Sequence, residues 1–298
     1  MKPKRTSLNS VLLILFAASL WAMSGVFIDG VVRYSDLAPI QIAFLRELST
    51  FLILLGYLWL KDRKLPRIEK KDWVWLVLMG GFGIGFFHLV WNLSVITNGV
   101  SVATMLQYNE VILVSLIAAF LFRESMNARK VLAIFGSLAG TALVSGLIGA
   151  STPAITSTGL LIGIVTAVSH AAFSLFGKKL SGSYAATTIL LYAFGFGALV
   201  LLPFQFFFPL PTMVQSPAIA SLAGSILGST LISFAAYTAA LKHIPVSTAS
   251  ILATSEVVFA LLFGWLLLQE QLSFWQMAGG LLIVGGIVLV SLRPAAAA

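Results

Sequence analysis

Residues 100–145 read VSVATMLQYNEVILVSLIAAFLFRESMNARKVLAIFGSLAGTALVS, and residues 246–291 read VSTASILATSEVVFALLFGWLLLQEQLSFWQMAGGLLIVGGIVLVS. The two stretches align without a gap at an offset of 146 residues, and 13 of their 46 positions are identical. Identical Leu and Val residues are common between apolar helices, but here two glutamates recur at one spacing, Glu110 and Glu124 against Glu256 and Glu270. The chain is therefore interpreted as two repeated halves, residues 1–149 and residues 150–298.

The composition around these stretches is that of an integral membrane protein. Of the 298 residues, 59% are hydrophobic and 9% are charged, and the mean hydropathy is +1.02. Soluble domains contain roughly 45–50% apolar and about 25% charged residues. The charged residues could not cover a soluble globule of this size, and the connections leave no room for a soluble catalytic domain, a nucleotide-binding domain or a receptor ectodomain. With no cysteine in the chain, disulfides and thiolate chemistry are excluded.

Ten apolar runs have the length of membrane-spanning helices, which need about 20 residues. They lie near 9–28, 39–60, 73–96, 100–121, 128–148, 158–177, 185–207, 218–241, 246–268 and 274–292. The first run is interpreted as a retained helix and not as a signal peptide. Each half then holds five helices, and because five is odd the second half enters the membrane from the opposite side. The predicted fold is all-α, with ten transmembrane helices in two inverted five-helix repeats.

The lysines and arginines support this count. If the N-terminus is inside, sixteen of the eighteen Lys and Arg residues fall on the termini and the even-numbered connections. Positive charge is retained on the cytoplasmic side of a membrane, so both termini are predicted to be cytoplasmic. The sequence predicts a multi-pass plasma membrane protein, with the bacterial inner membrane as the expected location. The net charge of +8 is then explained by the bilayer, and no nucleic acid partner is expected.

Several predicted helices carry a polar or aromatic stripe at helical spacing. A polar group without a partner is costly in lipid, so such stripes should face protein or a hydrated cavity. The candidate cavity-lining residues are Trp21, His88, Asn92, Thr104, Tyr108, His170, Tyr237, Ser250 and Thr254.

Structural explanations compete with each of these assignments. Small residues on a helix face usually serve helix packing, and a lone Ser or Thr often bonds a carbonyl of its own helix. A buried tyrosine hydroxyl needs a partner, so Tyr108 and Tyr237 fit a cavity wall and core packing equally well. The histidines have no spacing typical of metal ligands, so no metal site is predicted and a hydrogen-bonding or protonatable wall is favoured.

Ionisable residues inside the membrane are candidates for function. Arg46, Glu47, Glu110 and Glu256 are such residues. On a regular helix Glu110 lies about 160° from Tyr108, so both cannot face one narrow cavity. If Tyr108 lines the cavity, Glu110 and Glu256 are expected to clamp neighbouring helices. Arg46 could pair with an acidic group or attract a substrate carboxylate, and both interpretations stay open.

The sequence resembles the EamA type of the drug/metabolite transporter superfamily, which has two five-helix repeats. The resemblance rests on Trp21-Ala22, on Pro39 with Phe44-Leu45-Arg46, and on the series of Ser, Glu, Glu and Gly that both halves share. These series are Ser101, Glu110, Glu124 and Gly140, and Ser247, Glu256, Glu270 and Gly286. The family often has proline after the first of these glutamates, where this chain has Val111 and Val257. Within the superfamily the chain looks most like YddG-type exporters of aromatic and other neutral amino acids.

The resemblance and the stripes together predict a secondary transporter that moves neutral or aromatic amino acids outward by alternating access around a midplane cavity. The alternative is a carrier of a nucleotide sugar, a phosphorylated sugar or a cationic drug with the same architecture. No enzyme motif of the H-E-x-x-H or G-x-S-x-G type occurs, and no ATP-binding G-x-x-x-x-G-K-[ST] motif is found. The chain is thus expected not to be an enzyme, to need no cofactor and to act as a monomer.

Overall fold

A computed structural model describes most of the chain, namely residues 8–62, 66–145, 156–268 and 273–291. Within these ranges the regular structure is helical, with one isolated β-bridge between Ser35 and Val214. Glu270 of the repeated glutamate pair lies outside the described residues.

Five of the ten predicted membrane segments consist of two α-helices in series. The described α-helices of the first half are α1 (Leu8–Trp21), α2 (Ser24–Arg33), α3 (Pro39–Asp62), α4 (Trp73–Gly80), α5 (Phe87–Asn98), α6 (Val100–Gln107), α7 (Glu110–Leu121) and α8 (Ala128–Val144). Those of the second half are α9 (Ser157–Ser181), α10 (Ala186–Leu201), α11 (Ser216–Gly224), α12 (Ser233–Leu241), α13 (Val246–Ala253), α14 (Ser255–Leu268) and α15 (Phe274–Ser291). Short 3₁₀ helices cover Lys70–Asp72 and Leu202–Phe207.

Nine helical stretches of the described residues are long and apolar enough to cross a membrane. They are Leu8–Arg33, Pro39–Lys61, Lys70–Asn98, Val102–Leu121, Ser157–Ser181, Ala186–Phe207, Ser216–Leu241, Val246–Phe263 and Phe274–Ser291. The remaining predicted segment, 128–148, corresponds to α8, which has 17 residues in the described part of the chain. Large apolar side chains on the outer surface, such as Phe120 at 89% exposure, fit a lipid environment. The chain is a multi-pass membrane protein.

Three of the membrane segments are interrupted near their middle. The first breaks at Ala22 and Met23, between α1 and α2, and the fourth breaks at Tyr108 and Asn109, between α6 and α7. The ninth breaks at Thr254. None of the three breaks contains a proline, and at two of them a polar side chain bonds the backbone. The Asn109 amide donates to the Leu106 carbonyl oxygen at 3.0 Å, and the Thr254 hydroxyl donates to the Ile251 carbonyl oxygen at 2.7 Å.

Two further segments contain π-helical turns at corresponding places. They cover Gly81–Phe86, between α4 and α5, and Ser225–Ile232, between α11 and α12. These are the third predicted segment of the first half and the third predicted segment of the second half. A π-turn inserts an extra residue into a helix and is frequent at functional sites.

The two halves of the chain are interleaved. Helix α1 packs against α12, α13 and α14, whereas α9 packs against α4, α5, α6 and α7. Helix α3 packs against α10. Each half therefore completes its packing with helices of the other half, and one continuous core contains buried side chains of both, including Trp21 and Phe234.

The last helices of the two halves, α8 and α15, pack together through two equivalent glycine contacts, in which corresponding residues of the two helices exchange places. A methyl group on Gly140 would lie 2.5 Å from the Gly279 carbonyl oxygen, and one on Gly286 would lie 3.0 Å from the Ala133 carbonyl oxygen. The 146-residue offset relates Ala133 to Gly279 and Gly140 to Gly286. The helices run antiparallel here, and such exchange of partners is what a two-fold relation between repeats produces.

One end of the bundle, here called the basic end, consists of the described connections at 66–72, 122–127, 182–185 and 242–245. At this end the Tyr184 hydroxyl donates to Asp72 at 2.7 Å. The Glu124 carboxylate accepts the Val246 backbone N–H at 2.7 Å, and also bonds the Ser247 hydroxyl. Glu124 therefore satisfies the free N–H groups at the start of α13.

At the opposite end a carboxylate joins the connection after α2 to the connection before α11. Asp36 accepts the Thr212 hydroxyl at 2.6 Å, the Thr212 N–H at 2.9 Å and the Met213 N–H at 3.1 Å. These donors, above all the Thr212 hydroxyl, lower the pKa of Asp36 to about 2. The halves are thus connected at both ends of the bundle.

Candidate substrate pocket

A pocket of about 310 Å³, counting its open side, lies among the interrupted helices. Its lining combines four large aromatic rings with charged and polar groups. The lining residues are Trp21, Ser24, Arg46, Phe87, His88, Trp91, Gln107, His170, Ser229, Phe234 and Glu256.

The helix interruptions explain why these residues meet. Trp21 is the last residue of α1 and Gln107 the last of α6, and Glu256 lies in the first turn of α14. Ser229 belongs to the second π-turn. The pocket is therefore built from the ends of broken helices, as is typical of transporter sites.

Aromatic rings form one wall. The Trp21 ring makes edge contacts with His170 and Phe234, at centroid distances of 5.9 and 5.4 Å. The Phe87 ring stacks on His170 at 4.6 Å. Edge-to-face and offset stacked rings are favourable arrangements, and the wall offers flat apolar surface to a ligand.

Arg46 supplies positive charge to the pocket. Its side chain is 1% exposed, and its Nε and Nη2 atoms both donate to the Thr230 hydroxyl oxygen, at 3.0 and 2.8 Å. The buried Nη1 atom has no hydrogen-bond partner among the described residues. An unpaired buried guanidinium nitrogen is costly, and a bound carboxylate would remove that cost.

Two buried histidine–carboxylate pairs lie at the pocket. The Nδ1 atom of His88 contacts the Glu47 carboxylate. The Nδ1 atom of His170 lies 2.7 Å from Oε2 of Glu110. All four side chains are at most 4% exposed, so each pair is shielded from water.

A third carboxylate, Glu256, faces the pocket. It accepts a hydrogen bond of 2.6 Å from the Tyr108 hydroxyl, which also lies 2.9 Å from the Ala253 carbonyl oxygen. Glu256 thus accepts one hydrogen bond from a neutral donor at the junction of α6 and α7, and it forms no salt bridge with the described residues. It can accept further hydrogen bonds from a ligand.

The structure separates the nine predicted site residues into three sets. Trp21, His88 and His170 line the pocket. Tyr108 and Tyr237 lie behind its wall, where Tyr108 holds Glu256 and Tyr237 bonds the Ser174 hydroxyl at 3.0 Å.

The other four predicted residues are not among those lining this pocket. Asn92 is fully buried and donates to the Pro39 carbonyl oxygen at 3.0 Å. Ser250 and Thr254 bond carbonyl oxygens of their own helix, which is the structural use of hydroxyl groups described above. Thr104 lies in α6 and is partly buried.

The set of predicted residues lacked five polar residues of the lining, which are Ser24, Arg46, Gln107, Ser229 and Glu256. Arg46 and Glu256 were identifiable as intramembrane ionisable groups. On an unbroken helix Glu110 and Tyr108 lie on different faces, so the prediction placed the glutamates away from the cavity. The break at Tyr108 and Asn109 removes that assumption, and it brings both Tyr108 and Glu110 to the region of the pocket.

Comparison with known proteins agrees with this geometry. A model of the EamA-like transporter family matches residues 8–146 and again residues 157–292. The chain belongs to the EamA-like transporter family. The two matches cover the two halves one after the other, so the family pattern occurs twice in this EamA-like chain.

Relatives of this EamA-like protein are also named as transporters. The chain is 26% identical to the uncharacterized inner membrane transporter YicL of Salmonella typhimurium, over 95% of each chain. It is 28% identical to an uncharacterized transporter of Archaeoglobus fulgidus, over 94% of this chain and 97% of the relative. A solved structure with 20% identity superposes with a TM-score of 0.79, covering 95% of this chain and 98% of that one. This last likeness concerns the fold.

Proposed function

We propose that this transporter exports neutral and aromatic amino acids, by alternating access around the pocket between two inverted five-helix repeats. The observation that carries the proposal is the distribution of charge in the pocket. Arg46 offers an unpaired guanidinium nitrogen and Glu256 offers a carboxylate, and aromatic rings line the same space. These groups match the carboxylate, the ammonium group and the side chain of a zwitterionic amino acid.

The pocket argues against the phosphorylated members of the alternative class. Around it the described residues contain one arginine and three carboxylates, those of Glu47, Glu110 and Glu256. A sugar phosphate or nucleotide sugar would need an excess of positive charge. A cationic drug is the stronger alternative, because the carboxylates favour a cation.

Several observations support the inverted repeats and the orientation. The exchanged contacts of α8 and α15, the matched π-turns and the double family match all relate residues 1–149 to residues 150–298. We infer ten spans with the basic end in the cytoplasm, as the Lys and Arg distribution predicts. The inner membrane location of the named Salmonella relative supports the same location for this chain, and the proposed site needs no second chain.

The experiment is counterflow of labelled phenylalanine in proteoliposomes, with unlabelled competitors of each class: neutral amino acids, a lipophilic cation and a hexose phosphate. Phenylalanine should exchange without ATP, and other neutral amino acids should compete. If only the cation competes, or if no amino acid moves, the proposal is refuted.

The residue-level test compares two arginines by the same substitution. Arg46→Gln removes the guanidinium group from the pocket, whereas Arg33→Gln removes a side chain that is 65% exposed and pairs with Asp29 on the surface. A charged hydrogen bond contributes about 1.5–3 kcal/mol, so Arg46→Gln should weaken phenylalanine binding by about 10- to 150-fold. Arg33→Gln should leave binding unchanged. Equal affinities of the two variants would contradict the assignment of Arg46.

A further inference from the structure

Three residues that line the pocket each carry a buried polar atom with no hydrogen-bond partner among the described residues. The atoms are Nε1 of Trp21, Nη1 of Arg46 and Oε1 of Gln107. The three residues are 6%, 1% and 3% exposed. A buried polar atom without a partner is costly, and three of them in one lining indicate that a ligand supplies the missing partners. The chemistry of each atom then describes the ligand.

Gln107 needs a hydrogen-bond donor from the ligand. The nitrogens of Trp21 and Arg46 are donors, and the oxygens of a substrate carboxylate accept from such groups. The Gln107 amide oxygen is an acceptor, and a carboxylate cannot bond it because neither group carries a hydrogen. A ligand that satisfies Gln107 therefore carries an N–H or an O–H group.

The surroundings of Gln107 favour an ammonium group over a hydroxyl group. Gln107 is the last residue of α6 and precedes Tyr108 at the helix break. The Tyr108 hydroxyl donates to Glu256 at 2.6 Å, and Glu256 lines the pocket together with Gln107. Two acceptors, an amide oxygen and a carboxylate, are thus associated with one helix break. A hydroxyl group has one hydrogen to donate, whereas an ammonium group has three.

The corresponding break in the second half of the chain lacks this acceptor. The 146-residue offset relates Gln107 to Ala253, which is the last residue of α13 before the break at Thr254. Ala253 has a methyl side chain, and its carbonyl oxygen lies 2.9 Å from the Tyr108 hydroxyl. Of these two related positions, the one in α6 therefore offers a side-chain acceptor. This asymmetry gives the ligand one orientation, with its nitrogen toward the end of α6.

We propose that Gln107 is a specificity-determining residue that accepts a hydrogen bond from the substrate ammonium group and selects primary amines over quaternary ammonium compounds. The inference rests on the proposed function for the identity of the ligand. A trimethylated nitrogen keeps the positive charge that Glu256 attracts, but it has no N–H and leaves the Gln107 oxygen buried and unpaired. A site built to bond an N–H group strongly rejects an analogue that lacks it. Permanently charged cationic drugs are therefore poor ligands of this pocket.

The experiment measures dissociation constants by calorimetry on the purified full-length chain, with ligands that share one phenyl ring. Phenylalanine has both charged groups, phenethylamine lacks the carboxylate, and 3-phenylpropionate lacks the nitrogen. Trimethylphenethylammonium carries methyl groups in place of the N–H hydrogens. Gln107→Met replaces the amide by an apolar side chain of similar length. The matched control is Gln205→Met, because the Gln205 amide bonds the Leu201 carbonyl oxygen at 3.0 Å and Gln205 is not among the lining residues.

The expected effect is confined to ligands with an N–H group. Gln107→Met should weaken the binding of phenylalanine and phenethylamine by about 10- to 150-fold, as for the loss of a hydrogen bond to a charged group. It should bind 3-phenylpropionate at least as tightly as the wild type does, since that ligand leaves the Gln107 oxygen unpaired. The wild type should prefer phenethylamine to its trimethylated form, and Gln107→Met should reduce that preference. Gln205→Met should keep the wild-type affinities.

The outcomes separate this inference from the proposed function. If Gln107→Met binds phenethylamine as tightly as the wild type does, the inference is overturned. An equal loss for 3-phenylpropionate also overturns it, because the amide nitrogen then bonds the substrate carboxylate. If phenethylamine binding depends on Gln107 and phenylalanine does not bind, the ammonium site stands and the proposed function fails. If neither ligand binds the wild type, both proposals fail.

The wild type alone provides a second test, which applies if Gln107→Met does not fold. Helical circular dichroism and gel filtration establish whether the variant is folded. The wild-type preference for phenethylamine over trimethylphenethylammonium should be about tenfold or more. Equal affinities for the two cations would overturn the selection of primary amines.

Discussion

The hydrogen bonds behind the pocket wall can be tested by making the same Tyr→Phe substitution at two buried tyrosines. Tyr108→Phe and Tyr237→Phe each remove a hydroxyl from a side chain that is 0% or 1% exposed. The Tyr108 hydroxyl bonds the Glu256 carboxylate at 2.6 Å and lies 2.9 Å from the Ala253 carbonyl oxygen. The Tyr237 hydroxyl bonds one neutral hydroxyl, that of Ser174, at 3.0 Å.

The expected costs differ because only one of the bonds involves a carboxylate. Losing a hydrogen bond to a charged group costs about 1.5–3 kcal/mol, and Tyr108→Phe should lower the free energy of unfolding by that amount. Neutral side-chain hydrogen bonds in membrane proteins contribute about 0.6 kcal/mol on average, which is the cost expected for Tyr237→Phe. The remaining contacts of the two rings are unchanged in both variants.

The assay is reversible unfolding of the purified protein in mixed micelles with increasing SDS, followed by tryptophan fluorescence and helical circular dichroism. The difference between the two variants should be about 1–2.5 kcal/mol, which the midpoints resolve. Tyr237→Phe serves as the control for loss of a buried hydroxyl. If it destabilises the protein as much as Tyr108→Phe, the hydrogen bond between Tyr108 and Glu256 is no stronger than a neutral one.

Two further predictions concern helix packing and the connection opposite the basic end. Gly140→Ala should destabilise the protein by about 1–3 kcal/mol, since the new methyl group would lie 2.5 Å from a carbonyl oxygen of the facing helix. The control in the same unfolding assay is Gly285→Ala, whose methyl group would meet nothing within 4 Å. Equal losses of stability in the two variants would contradict the close packing at Gly140. The contacts of Asp36 should stabilise the protein at any pH above about 4 and lose this effect as the pH falls through about 2, because its pKa is lower in the folded chain than the ordinary 3.8. Thermal melts of wild type and Asp36→Asn should therefore differ at pH 6 and converge near pH 2, and a difference that persists at low pH would count against the carboxylate's role.

The class of protein and the location of its helices could be predicted from the sequence. A long apolar run inside a membrane forms a helix, because its backbone groups must bond one another there. The duplicated glutamates indicated the repeat. The family match confirms a transporter of the EamA-like family. The count of ten spans and the inverted relation of the halves stay predictions.

The composition of the pocket was harder to predict, because it depends on where helices are broken. The interruptions at Tyr108 and Thr254 occur without proline, so the usual signal for a break is absent. A wheel drawn for a continuous helix then places Glu110 and Tyr108 on opposite faces. Hydroxyl residues were a second difficulty. A stripe of Ser and Thr can line a cavity, or each hydroxyl can bond a carbonyl oxygen of its own helix, as the Thr254 hydroxyl does.

The interleaving of the halves has a consequence for how the chain reaches its final form in the cell. Helix α1 ends at Trp21, and its neighbour α12 begins at Ser233, so at about 5–20 residues per second the ribosome needs roughly 10–40 s between them. During that time Arg46 sits in a nascent helix before its acceptor Thr230 has been synthesised, at a cost of about 2.5–3.5 kcal/mol for an arginine in mid-bilayer. We therefore expect the insertion machinery or lipid headgroups to shelter the early helices until translation is nearly finished. Substitutions late in the chain, at Thr230 for example, should disturb the insertion of helices made long before.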